Sequence, residues 1–179
     1  MTAKVAAKVA IVTVSDRASR GDYEDKGGPG CEDWLRGVVT TPLSISRVII
    51  PDGRDSVADC LKELVARGMD LILVTGGTGP APRDETPEGA AEVIEKELAG
   101  FGEEMRRASL LEVPTAILSR QTAGIAGKSL IITLPGNPRA IATCLNAVFA
   151  AVPYCLDLIG AGHVDTDPAK IAAFRPKTK

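Results

Sequence analysis

The sequence predicts one α/β domain built on a doubly wound, at least partly parallel sheet. Three observations predict it. Short runs of branched apolar residues alternate with stretches whose apolar residues recur at helical spacing. The strand-like runs end in loops rich in glycine, proline and aspartate. No internal repeat or low-complexity linker divides the 179 residues, a length that suits a single domain with a sizeable core.

The elements follow in order. Val9–Val14 (VAIVTV) reads as a buried strand ending at Ser15-Asp16-Arg17, and a polar loop covers Ala18–Gly30. Cys31–Val39 is helical, with Trp34, Leu35 and Val38 on one face. Ser44–Ile50 is a second strand, ending at Pro51-Asp52-Gly53. Asp55 then caps an amphipathic helix carrying Val57, Leu61, Leu64 and Val65, which Gly68 stops. The third strand, Leu71–Val74, breaks into Thr75-Gly76-Gly77-Thr78-Gly79-Pro80. Arg83 and Asp84 follow, and Thr86-Pro87 reads as an N-cap with proline at the first position of a helix over roughly Pro87–Leu98.

Gly100–Glu103 reads as a break and Glu104–Leu111 as a short helix. Thr115–Leu118 suits a strand, and Gly124 and Gly127 mark turns around Ile125. Ser129–Leu134 (SLIITL) is a fourth buried strand ending at Pro135-Gly136-Asn137-Pro138. Pro138 opens a helix with Ile141, Cys144, Leu145, Val148 and Phe149 on one stripe. Pro153 breaks it, and Tyr154–Ile159 forms a last short helix. Residues 1–7 are expected to be a short flexible N-terminus and residues 160–179 a polar, loosely held tail.

Composition narrows the function. A net charge of −2 and 3% aromatic residues argue against a nucleic-acid surface. No apolar run reads as a membrane span, and the first residues lack the long apolar core of a signal peptide. Cys31, Cys60, Cys144 and Cys155 form no paired motif and suit packing in a reducing cytoplasm. The single histidine, His163, lies in the polar tail, so neither zinc nor a histidine-activated nucleophile is expected.

In a parallel sheet all carboxyl ends share one rim, where ligands bind. The four unusual loops each follow a predicted strand, so they should meet there. They offer acids (Asp16, Asp52, Asp84), hydroxyls (Ser15, Thr75, Thr78) and glycine backbone. The strand, glycine loop and helix start together describe an anion site. The loop matches neither the P-loop nor the dinucleotide fingerprint and holds no lysine, so a bound triphosphate would need a cation held by carboxylates. Each loop read alone is equally a tight turn, with Asp16 and Asp52 as local caps. The set suits magnesium-assisted phosphoryl or nucleotidyl transfer, and an attacking phosphate would need no general base.

Thr75–Pro80, followed by Arg83-Asp84 and Thr86-Pro87, resembles the signature of molybdopterin-binding proteins, as does Leu134-Pro135-Gly136-Asn137-Pro138. Ser15–Ser19, Gly100–Glu103 with Met105-Arg106 and Ser109-Leu110, Val113–Arg120 and Ala172–Lys177 resemble the molybdopterin adenylyltransferases of molybdenum cofactor synthesis. The resemblance covers nearly the whole chain. It implies a single-domain three-layer α/β/α sandwich with a mostly parallel sheet, and a homotrimer. It also implies a cytoplasmic reaction in which molybdopterin and ATP, with Mg2+, give adenylylated molybdopterin and pyrophosphate. The product would pass to a molybdate-insertion protein.

Carried over by residue, the resemblance implies that Asp52 and Asp84 are catalytic and hold Mg2+. Ser15, Asp16, Thr75, Gly76, Gly77, Thr78, Gly79, Ser109, Pro135, Gly136, Asn137 and Pro138 would contact substrate, Ser109 on a helix facing the pterin. Ala99, Glu85 and the short stretch from Leu145 to Pro153 depart from the usual pattern. The competing readings are a molybdopterin-binding carrier or regulator without catalysis, a molybdate-insertion domain, which belongs to longer chains, and a generic magnesium-dependent nucleotide hydrolase.

Overall fold

Alternate side chains of a strand point to opposite faces of the sheet, and in this chain both faces are covered. The computed structural model describes residues 6–177. Strands β1 (Ala7–Val14), β2 (Leu43–Ile50), β3 (Leu71–Thr75), β4 (Lys96–Glu97), β5 (Ala123–Ala126) and β6 (Ser129–Leu134) form a sheet of order β2-β1-β3-β6-β5-β4. The first four are mutually parallel, and β5 and β4 add an antiparallel edge. Of the expected strand runs, Val9–Val14, Ser44–Ile50, Leu71–Val74 and Ser129–Leu134 are present, and the sheet is mostly parallel.

Helices α1 (Asp16–Ser19) and α2 (Gly27–Val38) lie between β1 and β2, and α3 (Arg54–Ala66) lies between β2 and β3. Helices α4 (Thr86–Ala91) and α5 (Ala99–Leu110) follow β3, and α6 (Pro138–Val148) and α7 (Val152–Ile159) follow β6. Val9, Ile11, Leu71, Leu73, Leu130 and Ile132 face Leu35, Met105, Ile141, Leu145 and Leu156, so α2, α5, α6 and α7 cover one face. Ala10, Val12, Ile72, Val74 and Ile131 face Val57, Leu61, Leu64 and Ala90 of α3 and α4. These are three layers, α/β/α.

Several local expectations are corrected. Helix α2 begins at Gly27, because Asp25 accepts the Gly28 N–H at 3.0 Å and turns the polar loop into a helix start. Gly53, not Asp55, caps α3. The helix expected over Pro87–Leu98 ends at Ala91, and the chain turns into the edge strand β4. Gly100–Glu103 is no break: Gly102 lies inside α5, where an added Cβ would strike the Gln121 carbonyl. Helical spacing was legible there, but the glycines masked it. Pro114–Leu118 is a 3₁₀ helix rather than a strand, with proline in its first turn. Gly124 belongs to β5 and lets Ile94 pack against that strand. Helix α6 ends at Val148, before Pro153; a 3₁₀ turn at Phe149–Ala151 follows, and Pro153 lies in the first turn of α7.

The stretch Pro138–Ile159 is long and apolar enough to cross a membrane by composition, contrary to expectation. Its apolar side chains are used in the core: Ile141, Cys144, Leu145, Phe149, Val152 and Leu156 are fully buried.

The ends also differ from expectation. Residues 1–5 of the expected flexible segment lie outside the described residues. Ala6 bridges to His163, and the fully buried Ala7 already opens β1. The tail is held. Thr166 bridges to Val39, Val164 is buried, and Arg175 donates to Asp157, Asp165 and the Val164 carbonyl. Removing residues 163–179 is expected to lower the unfolding free energy by at least ~2 kcal/mol, the scale of one fully buried aliphatic side chain. An unchanged urea midpoint would show that the tail only rests on the domain.

Candidate active site

Parallel pairing puts the carboxyl ends of β1, β2, β3 and β6 on one rim, and the four loops meet there. The β1 and β2 loops are stitched together. The Ser15 N–H donates to the Ile50 carbonyl at 2.9 Å. Asp16 N–H donates to Asp52 Oδ2 at 2.9 Å, and Asp52 N–H donates to Asp16 Oδ1 at 3.0 Å. Asp84 closes its own turn by accepting the Ala81 N–H through Oδ2 at 3.1 Å. Only Asp84 is a turn cap, as the plainer reading has it; Asp16 and Asp52 instead tie two loops together, and Asp52 and Asp84 each keep an oxygen. Among the described residues no hydrogen bond reaches Oδ1 of Asp52 or Asp84.

The glycine loop begins with Gly76 at φ 99° and Gly77 at φ 64°, a region that strains other residues. A Cβ on Gly76 would collide with the Val14 carbonyl, and one on Gly77 with the Thr86 hydroxyl. The start of α4 is not the expected anion cradle. Glu85 holds the cap position, the Thr86 N–H is spent on the Gly77 carbonyl, and the Thr86 hydroxyl donates to the Gly76 carbonyl at 2.8 Å. The free donors lie just before it. Among the described residues no protein acceptor meets the N–H groups of Gly77, Thr78 and Gly79, which border the central cavity.

Three cavities run along the rim as one trough. A cavity of about 230 Å³ is lined by Thr13, Ser15, Tyr23, Asp25, Lys26, Gly27, Thr75 and their neighbours. It shares Ser15, Arg17, Gly76 and Gly136 with a cavity of about 310 Å³ that holds Asp16, Asp52, Arg83 and Asp84. That cavity shares Thr78 and Gly79 with a third of about 620 Å³, lined by Ser109, Val113, Leu118, Ser119, Gln121, Pro135, Asn137 and Thr143 among others. No salt bridge among the described residues reaches Arg17 or Arg83; the Arg17 guanidinium rests 5.2 Å from the Tyr23 ring centre.

The sequence profile of the family described as "Probable molybdopterin binding domain" matches residues 10–154. The chain belongs to the molybdopterin-binding domain family. The molybdopterin adenylyltransferase of Haemophilus influenzae is 47% identical over 184 residues, covering 96% of this chain and 93% of that protein. The molybdopterin adenylyltransferase of Helicobacter pylori J99 is 49% identical over 170 residues, covering 94% and 97%. Among solved structures, the molybdopterin biosynthesis Mog protein from Mycobacterium ulcerans superposes with a TM-score of 0.80 at 34% identity, covering 87% of this chain and 98% of its own.

Of the site residues expected in this molybdopterin-binding domain, all but Pro138 line the trough. Pro138 begins α6, and its ring backs onto Gly30 of α2. Thr75 and Asn137 reach the trough with their side chains already engaged. The Thr75 hydroxyl donates to the Pro135 carbonyl at 2.8 Å, and Asn137 caps α6 by accepting the Arg139 N–H at 2.9 Å. Ser109 is buried at the inner wall of the large cavity, 3.6 Å from Cys144 Sγ.

Sequence reasoning missed Arg17, Tyr23, Asp25, Ser119 and Gln121 as trough residues. Asp25 carried a legible signal, an acid three residues before Gly28, which it caps. Ser119 and Gln121 had none, because only the tertiary fold brings the 3₁₀ segment over the glycine loop. Burial, with Asp25 adding to it, pushes the Cys31 thiol up to about 12, and burial also raises Cys144, which disfavours the reactive thiolate at both.

Replacing the fully buried Thr86 with valine keeps its shape and removes the donor to Gly76. The expected loss is about 1–3 kcal/mol, the cost of a stranded buried carbonyl, read from denaturant midpoints. Unchanged stability would mean that the Gly76 carbonyl finds another donor.

Proposed function

We propose that this chain transfers the adenylyl group of ATP to molybdopterin, with Mg2+ held between Asp52 and Asp84. The observation that carries the reading is the continuous trough, with two chambers joined through a cavity lined by acids, guanidinium groups and glycine backbone. The curated relatives matched along nearly their full length are named molybdopterin adenylyltransferase, and the chain is an enzyme of that kind.

The large chamber takes the pterin. Leu118 and Val113 give it apolar walls, and Ser109, Ser119, Gln121 and Thr143 give it donors and acceptors. The small chamber takes the nucleoside, and the central cavity takes the phosphates. An oxygen of the molybdopterin phosphate bonds to the α-phosphorus of ATP. The bond from that phosphorus to the bridging oxygen breaks, and pyrophosphate leaves with the electron pair. The attacking phosphate is already ionised, so no proton acceptor is required. His163, engaged with Asp157 and Asp165 in the tail, has no part in it. The N–H groups of Gly77, Thr78 and Gly79, with Arg17 and Arg83, meet the charge developing on the transferred group.

The residues present fit Mg2+. It takes oxygen ligands and commonly uses one or two carboxylates, with water and substrate phosphate completing the shell. Asp52 and Asp84 border one cavity and each has a free oxygen. Bound there, Mg2+ would neutralise charge on the phosphates. Four unpaired cysteines support a cytoplasmic setting, and the product would pass to a molybdate-insertion protein.

Assembly as a homotrimer is part of the same reading. The exposed apolar side chains Leu110, Leu111 and Ile117, close together in the sequence, support it, since exposed apolar surface of this kind is buried when subunits meet. Light scattering at micromolar concentration is expected to return three times the chain mass, and a monomer mass removes the trimer.

Asp52→Asn and Asp84→Asn are each expected to lower adenylyl transfer by at least ~100-fold, the scale of lost transition-state electrostatics. Melting temperatures should stay close to the parent's, because the amide oxygen can still accept the cap hydrogen bond. Chelator should abolish transfer and Mg2+ restore it. Stable variants with near-normal turnover, or full activity in excess chelator, would refute the assignment; molybdopterin binding without ATP turnover would favour the carrier reading.

A further inference from the structure

The segment between the 3₁₀ helix and β5 faces two ways. Ser119 and Gln121 line the large cavity, and between them Arg120 reaches back to the glycine loop. Its backbone N–H donates to the Thr78 carbonyl at 2.8 Å. Its guanidinium donates to the Gly79 carbonyl through Nε at 3.1 Å and Nη2 at 2.9 Å. Nη2 also donates to the Asp84 carbonyl at 2.6 Å, and Nη1 pairs with Glu88. One planar fork thus spans both ends of the loop that carries Asp84, a geometry that a lysine point charge cannot reproduce.

Two further observations bear on this contact. The loop is closed so tightly that a Cβ on Gly79 would lie 2.8 Å from Asp84 Oδ2. Glu88 uses Oε1 on Arg120, while its Oε2 is buried with no hydrogen-bond partner among the described residues. The pair is partly exposed, and an ion pair of that kind adds little to stability, so its main effect is to hold the Arg120 fork in place. The Arg120 hydrogen bond holds the Glu88 carboxyl below its usual range.

We propose that Arg120 is a positioning residue, a clasp that ties the wall of the large cavity to the loop presenting Asp84. Movement of Ser119 and Gln121 on filling of that cavity is then transmitted through one residue to the carboxylate in the central cavity. This rests on the reading of the large cavity as the pterin chamber and of Asp84 as a metal-holding acid. By linkage, molybdopterin and Mg2+ with ATP should strengthen each other's binding.

The test uses the full chain with Arg120→Ala, Arg120→Gln and Arg120→Lys. Hydrogen exchange of the Ala81 and Asp84 amides, the hydrogen-bonded ones in the loop, is read without substrates, and adenylyl transfer is read across Mg2+ and molybdopterin concentrations. In Arg120→Ala, loop exchange and the half-saturating Mg2+ concentration are each expected to rise roughly tenfold, the scale of a lost charged hydrogen bond. The molybdopterin KM should move less than kcat. Arg120→Lys should recover part of both, and Arg120→Gln little. If Arg120→Ala does not fold, the same comparison of the other two variants decides. Parental loop exchange, or a parental Mg2+ dependence in a folded variant, overturns the clasp. If the parent itself transfers no adenylyl group, the functional reading falls, and the exchange measurement still decides whether Arg120 holds the loop.

Discussion

The peptide at Gly76 holds three strands' worth of structure in register. Its N–H donates to the Leu134 carbonyl of β6 at 3.0 Å, and its carbonyl accepts the Thr86 hydroxyl at the start of α4. Its α-carbon lies where a side chain would strike the Val14 carbonyl of β1. The pairing of Thr13 with Thr75 and of Thr75 with Leu134 brings these groups level. Because the strands run parallel, that register places Ser15, Gly76 and Pro135 side by side at the rim. A shift by one residue would turn each strand's core side chains to the wrong face, so the burial of Val12, Val74 and Leu134 also fixes the geometry of the trough.

Tertiary contact then decides what the loops can do. The glycine loop spends Gly76 on the fold and leaves Gly77, Thr78 and Gly79 with free N–H groups. Asp52 and Asp84 are likewise divided, one oxygen to the backbone and the other without a hydrogen bond among the described residues. A structural hydrogen bond and a role in the proposed site are compatible at these positions. A carboxylate fixed by its own turn is already oriented, so less ordering is left for the moment of binding.

The parts of the fold legible in the sequence are those with strong local period. Val9–Val14, Leu71–Val74 and Ser129–Leu134 are buried on both faces and read as uninterrupted apolar runs. The stripe of Ile141, Cys144, Leu145 and Val148 read equally well. What failed lay where glycine or proline has a packing reason instead of a chain-breaking one. Gly102 and Gly124 sit inside an α-helix and a strand because a carbonyl and an isoleucine press on them. Pro153 sits in a first helical turn, where its missing N–H costs nothing. The site followed the same division. The rim loops were legible because topology alone gathers them, whereas Ser119, Arg120 and Gln121 come from a segment whose approach depends on how α5 packs.

The charge pattern of the central cavity bears on the missing loop lysine. Asp16, Asp52 and Asp84 line it together with Arg17 and Arg83. The acids bind each other's backbone or their own turn, not the arginines, so neither arginine is neutralised in place. A phosphate chain entering this cavity would meet guanidinium groups and glycine N–H groups together with carboxylates that repel it. In the reading offered for this site, a divalent cation turns that repulsion into a contact. A lysine would be attractive to the phosphates whether or not metal was present. Paired acids would make productive binding conditional on the metal.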